Sequence, residues 1–383
     1  MAFLGYERPD GQIGIRNWVG ILSVMDNVNT IARRVARDVN GTVPITTLFV
    51  RGQYGWELEL AYNTLAGLGR NANLAGVVVV GLERTSTGTV AERIGNSGKP
   101  VETVIVQEVG GSVAATADAT RKASRMVIEA SRQHRSEVSE SMLTVGVECG
   151  GSDTSSELVS NPLIGRIADR IVDAGGRVVI SETSEFLGAE EIFAERAVDD
   201  SVRETFMGRV LAFENETITR GVDVRGNNPS PDNIRGGLTT IEEKAIGAMA
   251  KAGSRPLVGV LDYGEVPSRN GMHFMATPAP AVESMTGLAA GGCQIVLFST
   301  GVGNTVGNMV ATTVKVTGNT KTATALEDNI DFDCSDVLEK GTPMKDMADQ
   351  FHGYVREVAS GRMTTAEVLD ERETAISRFE RSF

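Results

Sequence analysis

Residues 148–153 combine polar side chains with a predicted tight turn, which makes them a candidate chemical site. They read Glu-Cys-Gly-Gly-Ser-Asp and directly follow an apolar segment that predicts a strand. Two glycines let a ligand approach the backbone closely, and Ser152 and Asp153 then supply a hydroxyl and a carboxylate. A helix cap is the alternative, because Ser and Asp are common N-cap residues. The polar continuation at 154–156 favours a binding turn.

A second carboxylate cluster follows the strand predicted at Arg177–Ile180. Glu182, Glu185 and Glu190 come within ten residues of its end. Clustered carboxylates can bind a divalent cation or act as acid and base. A solvated helix start is the alternative.

Three further segments carry candidate ligand-binding side chains. Arg235, in a polar loop with two prolines, and Lys244 could bind a substrate carboxylate, or either could be a surface charge. His273 is the best-placed histidine, although a lone histidine beside apolar residues is more often structural. Thr300 precedes a Gly-Val-Gly segment that suggests a loop over a small polar ligand and only weakly suggests phosphate binding.

Composition narrows the function class. The chain has 383 residues and a formal net charge of −13, which argues against nucleic acid as a partner. Its cysteines, Cys149, Cys293 and Cys334, form neither a disulfide framework nor a zinc motif. We find no apolar run long enough for a membrane span and no signal peptide, so we expect a cytoplasmic protein.

Strand and helix patterns alternate along the whole chain. This alternation predicts an α/β protein with two open, mostly parallel sheets flanked by helices, in Rossmann-like or flavodoxin-like lobes. We expect an N-terminal domain at 1–135 and a C-terminal domain at 141–383 that carries the main motifs. The polar segment 133–140 marks the boundary, with a solvated helix end as the alternative. A closing helix is predicted at Thr365–Arg381. The polar clusters follow strand ends, where parallel sheets bind ligands.

Taken together, these motifs resemble the altronate/galactarate dehydratase family over most of the chain. The matching segments, in chain order, are Gly5–Asn17, Glu148–Asp153 with Asn161-Pro162, Ser181–Glu190, Asn228–Lys244, Thr277-Pro278 and Lys315–Asn319. The resemblance implies a metal-dependent lyase acting on sugar acids, with iron(II) or another divalent ion (Mg, Mn or Ca). It also implies a two-subunit arrangement with a separate small subunit, as in sulfolactate sulfo-lyase, which is similar. A homo-oligomer of such units is expected.

The resemblance and the residue chemistry together define the predicted site of a small-molecule hydroxy acid. The catalytic candidates are Glu182, Glu185, Lys244 and His273. The substrate-binding candidates are Arg16, Asn17, Ser152, Asn161, Asn233, Arg235 and Thr300. The metal-ligand candidates are Cys149, Asp153 and Glu182, where Asp153 could also be a base and Cys149 could be a buried turn residue.

Several positions depart from the family pattern. Cysteine-containing motifs are replaced at Met25–Asn27 and at Leu82–Arg84, an aspartate is replaced by Ala276, and an arginine by Val302. Three functions therefore stay open: a sugar-acid dehydratase large subunit that forms a 2-keto-3-deoxy acid, a sulfolactate sulfo-lyase large subunit that releases sulfite and pyruvate, and a non-catalytic subunit that binds a sugar acid or a partner.

Overall fold

A computed structural model describes residues 2–378 and shows an α/β protein with two parallel sheets. The strands, in chain order, are β1 (Ala2–Glu7), β2 (Ile13–Gly14), β3 (Trp18–Ser23), β4 (Thr42–Ile45), β5 (Leu74–Gly81), β6 (Val101–Ile105), β7 (Ser136–Ser139), β8 (Thr144–Cys149), β9 (Arg177–Ile180), β10 (Leu257–Leu261), β11 (Gly271–Met275), β12 (Ile295–Ser299), β13 (Thr312–Thr317) and β14 (Phe332–Asp333). The predicted fold class is confirmed.

The helices connect and cover these strands. In chain order they are α1 (Asn29–Asp38), α2 (Gly55–Arg70), α3 (Arg84–Gly95), α4 (Val106–Val109), α5 (Ser112–Ala130), α6 (Asn161–Asp173), α7 (Glu190–Ala194), α8 (Asp200–Thr219), α9 (Val224–Asn227), α10 (Pro231–Arg235), α11 (Ile241–Met249), α12 (Ala281–Ala290), α13 (Thr320–Ala325), α14 (Asp336–Glu339), α15 (Met344–Ala359) and α16 (Thr365–Val368). Short 3₁₀ turns lie at Asp26–Val28, Glu140–Met142, Thr183–Phe186 and Ala250–Ala252, and a π-helical turn at Ser156–Ser160.

The N-terminal lobe is built on a four-stranded parallel sheet in the order β4-β3-β5-β6. Its central strand β5 is a run of valines buried along its whole length, as expected for a parallel sheet covered by helices on both faces. The segment predicted as the domain boundary contains β7, which pairs antiparallel with β1. This pairing ties residues 2–5 to the beginning of the second lobe.

The C-terminal lobe contains a seven-stranded parallel sheet in the order β10-β11-β9-β8-β12-β13-β14. Strand β8 pairs with β9 on one side and with β12 on the other. Because all these strands run in one direction, their carboxyl ends lie along the same edge. The polar segments after β8, β9 and β12 are therefore brought together, as the sequence predicted.

The two lobes share part of their hydrophobic core. One buried cluster joins Val78 of the first sheet with Leu288 of α12 and Phe298 of β12. Helix α2 packs closely on α12, where a side chain at Gly67 would meet the backbone of Ala290. The lobes therefore pack against each other through buried apolar side chains.

The end of the chain differs from the prediction. Within the predicted helix Thr365–Arg381 only Thr365–Val368 is helical, and residues 371–378 are extended or irregular; residues 379–381 lie outside the described residues. Side chains of this segment bind distant parts of the chain instead: Lys315 contacts Glu371, and Thr374 donates to the carbonyl of Thr46. These long-range contacts replace the regular bonds of a helix.

No helix within residues 2–378 has the length and apolar character that crossing a bilayer requires.

Candidate active site

The carboxyl ends of β8 and β9 place a thiol beside a carboxylate. The backbone N–H of Cys149 donates to Glu182 Oε2 at 3.0 Å, and Cys149 Sγ lies 3.4 Å from Glu182 Oε1. Both side chains are almost completely buried. The pairing of Val147 with Ile180 sets this proximity, because each strand ends within two residues of its paired position.

Lys251 completes the cluster from the other side. Its Nζ lies 2.7 Å from Glu182 Oε2 and 3.1 Å from Cys149 Sγ, and the residue is fully buried in the 3₁₀ turn Ala250–Ala252. Burial acts to lower the pKa of Lys251, but Cys149 and Glu182 outweigh it and raise the pKa above its ordinary value. The side chain is therefore a cation at neutral pH.

The backbone of Glu182 is held in an unusual conformation. Its φ is 68°, in the left-handed region that side-chain-bearing residues rarely adopt. Its N–H donates to Thr277 Oγ1 at 2.9 Å, and the next N–H, of Thr183, donates to the carbonyl of Thr277 at 3.0 Å. Such strain amounts to about 1–3 kcal/mol and concentrates at functional sites.

Glu148 hydrogen-bonds to side chains that adjoin the strained backbone of Glu182. Its Oε2 accepts hydrogen bonds from Ser181 Oγ at 2.6 Å and Ser284 Oγ at 2.7 Å, and Ser284 also contacts Thr277 at 3.0 Å. Its Oε1 is buried and has no partner in the described part of the chain. Burial, with the neighbouring Glu182, raises the pKa of Glu148 well above its usual range. Burial therefore favours the protonated form of Glu148.

A second ion pair lies close to this cluster. Lys244 Nζ donates to Glu185 Oε1 at 3.0 Å and to Asn228 Oδ1 at 2.5 Å. Glu185 Oε2 is buried without a partner among residues 2–378. The pair joins the turn after β9 to helix α11 and to the loop that precedes α10. Its two charged groups and one open oxygen are suited to binding a polar ligand.

Asp153 organises the loops after β8, β12 and β13. Its Oδ1 accepts from Ser155 Oγ at 2.7 Å, and its Oδ2 accepts from Asn319 Nδ2 at 2.7 Å. A side chain at Gly301 would lie 2.1 Å from Asp153 Oδ1, so this contact requires glycine. The neighbouring Ser152 accepts, at its backbone carbonyl, a 3.0 Å hydrogen bond from Asn233.

Thr300 and Asn161 lie in the same region, but each side chain hydrogen-bonds to a backbone group of the protein. Thr300 Oγ1 accepts a 3.0 Å hydrogen bond from the N–H of Gly303, and Asn161 Nδ2 donates to the carbonyl of Gly247 at 3.0 Å. Asn161 Oδ1 is buried without a partner in the described structure. Their substrate-binding roles stay predictions.

Four predicted site residues lie away from the cluster. Arg16 forms a bidentate pair with Glu367 at 2.6 and 2.8 Å, near Thr312 at the amino end of β13. Asn17 binds Arg8 and the carbonyl of Ala130.

The other two are His273 and Arg235. His273 lies inside β11, with Nδ1 3.2 Å from the carbonyl of Gly271, and burial lowers its pKa to about 4. Arg235 is exposed and pairs with Asp232. The residue types and their spacing in the sequence did not reveal that these four side chains would bind other parts of the structure.

Two members of the cluster were missed as site residues. Glu148 belongs to the predicted turn, but its burial was not foreseen. Lys251 gave no signal in the sequence, because lysine is ordinarily solvent-exposed. Thr277 and Asn319, which hydrogen-bond to Glu182 and Asp153, were also not named as site residues. Both lie in motifs that resemble the family, and those motifs could have identified them.

The predicted metal ligands are arranged as two separate groups. Cys149 and Glu182 contact the Lys251 ammonium, whereas Asp153 is bound by Ser155, Ser156 and Asn319. Among residues 2–378, no three His, Cys, Asp or Glu side chains come together in a way that could hold a metal ion. This donor set does not fit a metal in the arrangement shown, and the divalent metal stays a prediction from the resemblance.

Comparison with known proteins covers both lobes. The family described as D-galactarate/altronate dehydratase, C-terminal, matches residues 140–382, and D-galactarate dehydratase/altronate hydrolase, second domain, matches residues 5–131. The chain is 39% identical over 381 residues to (2R)-sulfolactate sulfo-lyase subunit beta of Chromohalobacter salexigens, covering 98% of this chain and 97% of that protein.

Two dehydratases are also similar. Altronate dehydratase of Bacillus subtilis is 33% identical over 389 residues, covering 98% of this chain and 77% of its own length. Galactarate dehydratase (L-threo-forming) of Escherichia coli is 28% identical over 386 residues, covering 95% of this chain and 74% of its own length.

Proposed function

Because the chain belongs to the galactarate and altronate dehydratase family and is a lyase, we propose that it removes the C2 proton of an anionic 2-hydroxy acid and expels the substituent on C3. The electron pair of the C2–H bond forms the C2–C3 double bond, and the C3 substituent leaves with its bonding pair. The resulting enol takes up a proton at C3 and becomes a 2-keto acid. The contact between Lys251 and Glu182 at 2.7 Å carries this proposal.

Glu182 is the proposed base. Burial raises the pKa of its carboxyl group, although the adjacent Lys251 acts in the opposite direction. A carboxylate with a raised pKa is a stronger base, and its backbone is already fixed by Thr277. Lys251 keeps this carboxylate ionised and provides positive charge as the enolate forms. Lys244, which pairs with Glu185, is proposed to bind the substrate carboxylate.

We propose (2R)-sulfolactate as the substrate, with sulfite as the leaving group and pyruvate as the keto acid. The support is 39% identity to the sulfo-lyase subunit over nearly the whole of both chains. Ala276 and Val302, which stand where the family has a carboxylate and a guanidinium, are consistent with a smaller or differently charged substrate. A sugar-acid dehydratase is the second candidate, supported by 33% identity to altronate dehydratase. The similarity to enzymes argues against the third alternative, a non-catalytic subunit.

A substrate panel with site variants tests this proposal. The chain would be assayed with sulfolactate, altronate and galactarate, with and without added iron(II), while sulfite and keto acid are measured. We expect turnover of sulfolactate, with about 100-fold or greater loss of kcat in Glu182→Gln and Lys251→Met. Lys340→Met, which removes an exposed cation paired with Asp336, should leave kcat unchanged.

Thermal unfolding of the site variants separates chemistry from folding. Lys251→Met leaves a buried carboxylate without its cation, which destabilises by about 3–5 kcal/mol. Glu182→Gln keeps the shape of the side chain but leaves the buried Lys251 ammonium without its counter-ion, so it should be destabilised by a similar amount. The kcat of each variant is therefore measured at a temperature at which its thermal unfolding curve shows it to be folded. A native kcat in Glu182→Gln would contradict the assignment of the base. Keto acid formed only from altronate or galactarate, without sulfite, would favour the second candidate.

We further propose that the chain works in the cytoplasm with a separate small subunit, and that this pair forms a larger homo-oligomer. The support is that the sulfo-lyase relative is itself named a subunit. The three cysteines of this chain are free and buried, as is usual in reducing compartments. Co-purification with a small chain carrying the family's first domain, followed by mass measurement in solution, tests the assembly.

A further inference from the structure

A cavity lies between the two lobes, away from the proposed active site. Its volume is about 580 Å³, which is within the range of metabolite-binding pockets. It is lined by the hairpin between β1 and β2, by α2, by the loop after β10 and by the end of α12. The lining residues Ala290 and Gly292 lead into the amino end of β12, whereas the proposed active site lies at carboxyl ends. The two sites therefore lie at opposite edges of the sheet.

Arg70 is the cationic group of this cavity. It is half-buried, and its guanidinium has no hydrogen bond or ion pair within residues 2–378. Burial and the nearby Arg93 both lower the pKa of Arg70. Arg93, by contrast, is neutralised by Glu59 at 2.9 Å. A half-buried guanidinium without a counter-ion is unfavourable, and a bound anion would relieve this.

Neighbouring polar groups define what kind of anion fits. Asn63 accepts a 2.8 Å hydrogen bond from Arg93 at Oδ1, so its amide nitrogen is available as a donor on the same face of α2. The loop after β10 contributes two carboxylates, Asp262 and Glu265. Asp262 pairs with Arg209, and Glu265 accepts from the N–H of Asp262 at 2.8 Å. These two carboxylates disfavour a ligand with several negative charges, and they can bind a hydroxyl or ammonium group of the ligand.

We propose that this cavity binds a small monocarboxylate, with its carboxylate on Arg70 and a hydroxyl or ammonium group facing Asp262 and Glu265. The ligand would contact α2 of one lobe and the loop after β10 of the other. This site does not depend on the reaction proposed above, because it shares no residue with the Glu182 cluster.

Calorimetric titration of the full chain with L-lactate, L-alanine and propionate tests the site. These probes share the carboxylate and differ in the second group. We expect lactate or alanine to bind more tightly than propionate. Arg70→Gln should weaken binding by about tenfold or more, because a charge-assisted, bidentate contact is lost. Val266→Trp keeps Arg70 but fills the cavity from an exposed lining position, and it should weaken binding similarly.

Arg33→Gln is the matched control, since Arg33 is an exposed arginine on α1. Its affinities should equal those of the native chain, and thermal unfolding of all three variants establishes that they are folded. The proposal is overturned if no probe binds at about 10 mM. It is also overturned if Arg70→Gln and Val266→Trp bind as tightly as the native chain. Either result would leave the Glu182 assignment untouched, because that assignment rests on turnover.

Discussion

At the carboxyl ends of β8 and β9, four ionisable side chains share a nearly dry environment with one strong ion pair. Lys251 and Glu182 are in contact, while burial raises the pKa of the Glu148 carboxyl group and of the Cys149 thiol. These shifts favour the protonated forms of Glu148 and Cys149, which avoid the large desolvation free energy of additional buried charges. The Lys251–Glu182 pair is therefore the ion pair of the cluster.

Glu157 gives a testable pH dependence beside this cluster. Burial, followed by repulsion from Glu243, raises the pKa of Glu157 to about 8. The folded state therefore holds this proton more tightly than the unfolded state, whose value is near 4.5. This contribution to stability is complete below pH 4.5 and is lost as pH rises towards 8. Glu157→Gln should thus gain stability relative to the native chain over that range in urea unfolding series.

Glu243→Gln removes a carboxylate whose effect on stability has the opposite pH dependence, and it also removes the repulsion that helps to raise the pKa of Glu157. The hydroxyl of Thr239 lowers the pKa of Glu243 through a hydrogen bond, and the backbone N–H of Thr239 acts in the same direction. Its contribution to stability is present above the unfolded value and is lost as pH falls through the folded value. Equal pH profiles for Glu157→Gln and the native chain would contradict the raised pKa.

The individual site residues that could be predicted from the sequence are those that directly follow strands. Cys149, Glu182 and Glu185 were predicted as site residues because parallel strands bring their carboxyl ends together, and their roles stay predictions. Lys251 was missed, because its burial arises from the packing of a 3₁₀ turn on α6. Arg16 was predicted to bind substrate, but its side chain pairs with Glu367 near the amino end of β13. Residue type does not reveal which edge of a sheet a side chain faces, and the substrate-binding role stays a prediction.

Among the elements, α8 supports the turn that carries Glu185. Phe206 of α8 is fully buried, and its ring centroid lies 5.3 Å from that of Phe186 and 4.9 Å from that of Phe274. We expect Phe206→Ala to lower the free energy of unfolding by about 3–5 kcal/mol, through lost burial and a residual cavity. Urea denaturation measures this.

Ile218→Ala on the same helix is the control, because Ile218 is 60% exposed. Its effect should stay within about 0.5 kcal/mol. A similar small effect for Phe206→Ala would show that the aromatic cluster does not hold α8 in place.

Most elements follow the hydrophobic periodicity of the sequence, as in α15, whose buried residues include Met347, Phe351 and Val355. Strand β11 was not recognised, because its central His273 interrupts an otherwise apolar run. The predicted closing helix was wrong beyond Val368, since Glu371 and Thr374 bind Lys315 and Thr46. Such long-range partners leave no periodic pattern in the local sequence.

For the whole molecule, the Arg16–Glu367 pair ties the beginning of the chain to its end. Both side chains are buried, and Arg16 also donates to the carbonyls of Val358 and Arg362. We expect Arg16→Leu to lower the free energy of unfolding by about 3–5 kcal/mol, because a buried carboxylate loses its partner. The KM of the remaining folded enzyme should be unchanged.

Arg37→Leu is the control for Arg16→Leu. It removes an exposed arginine paired with Asp38 and should change stability by less than about 1 kcal/mol. Steady-state kinetics below the unfolding temperature separate the two roles of Arg16. A raised KM with native stability would restore the predicted substrate-binding role.

The separation of Arg16 and Glu367 also has a consequence during synthesis. The two residues are 351 positions apart. At roughly 5–20 residues per second, translation takes about 20–70 s to proceed from one codon to the other. During that interval the guanidinium of the nascent chain stays hydrated, and its binding place among the carbonyls of residues 358 and 362 does not yet exist. The hairpin that precedes Arg16 therefore reaches its final environment only after the codon of residue 367 has been translated.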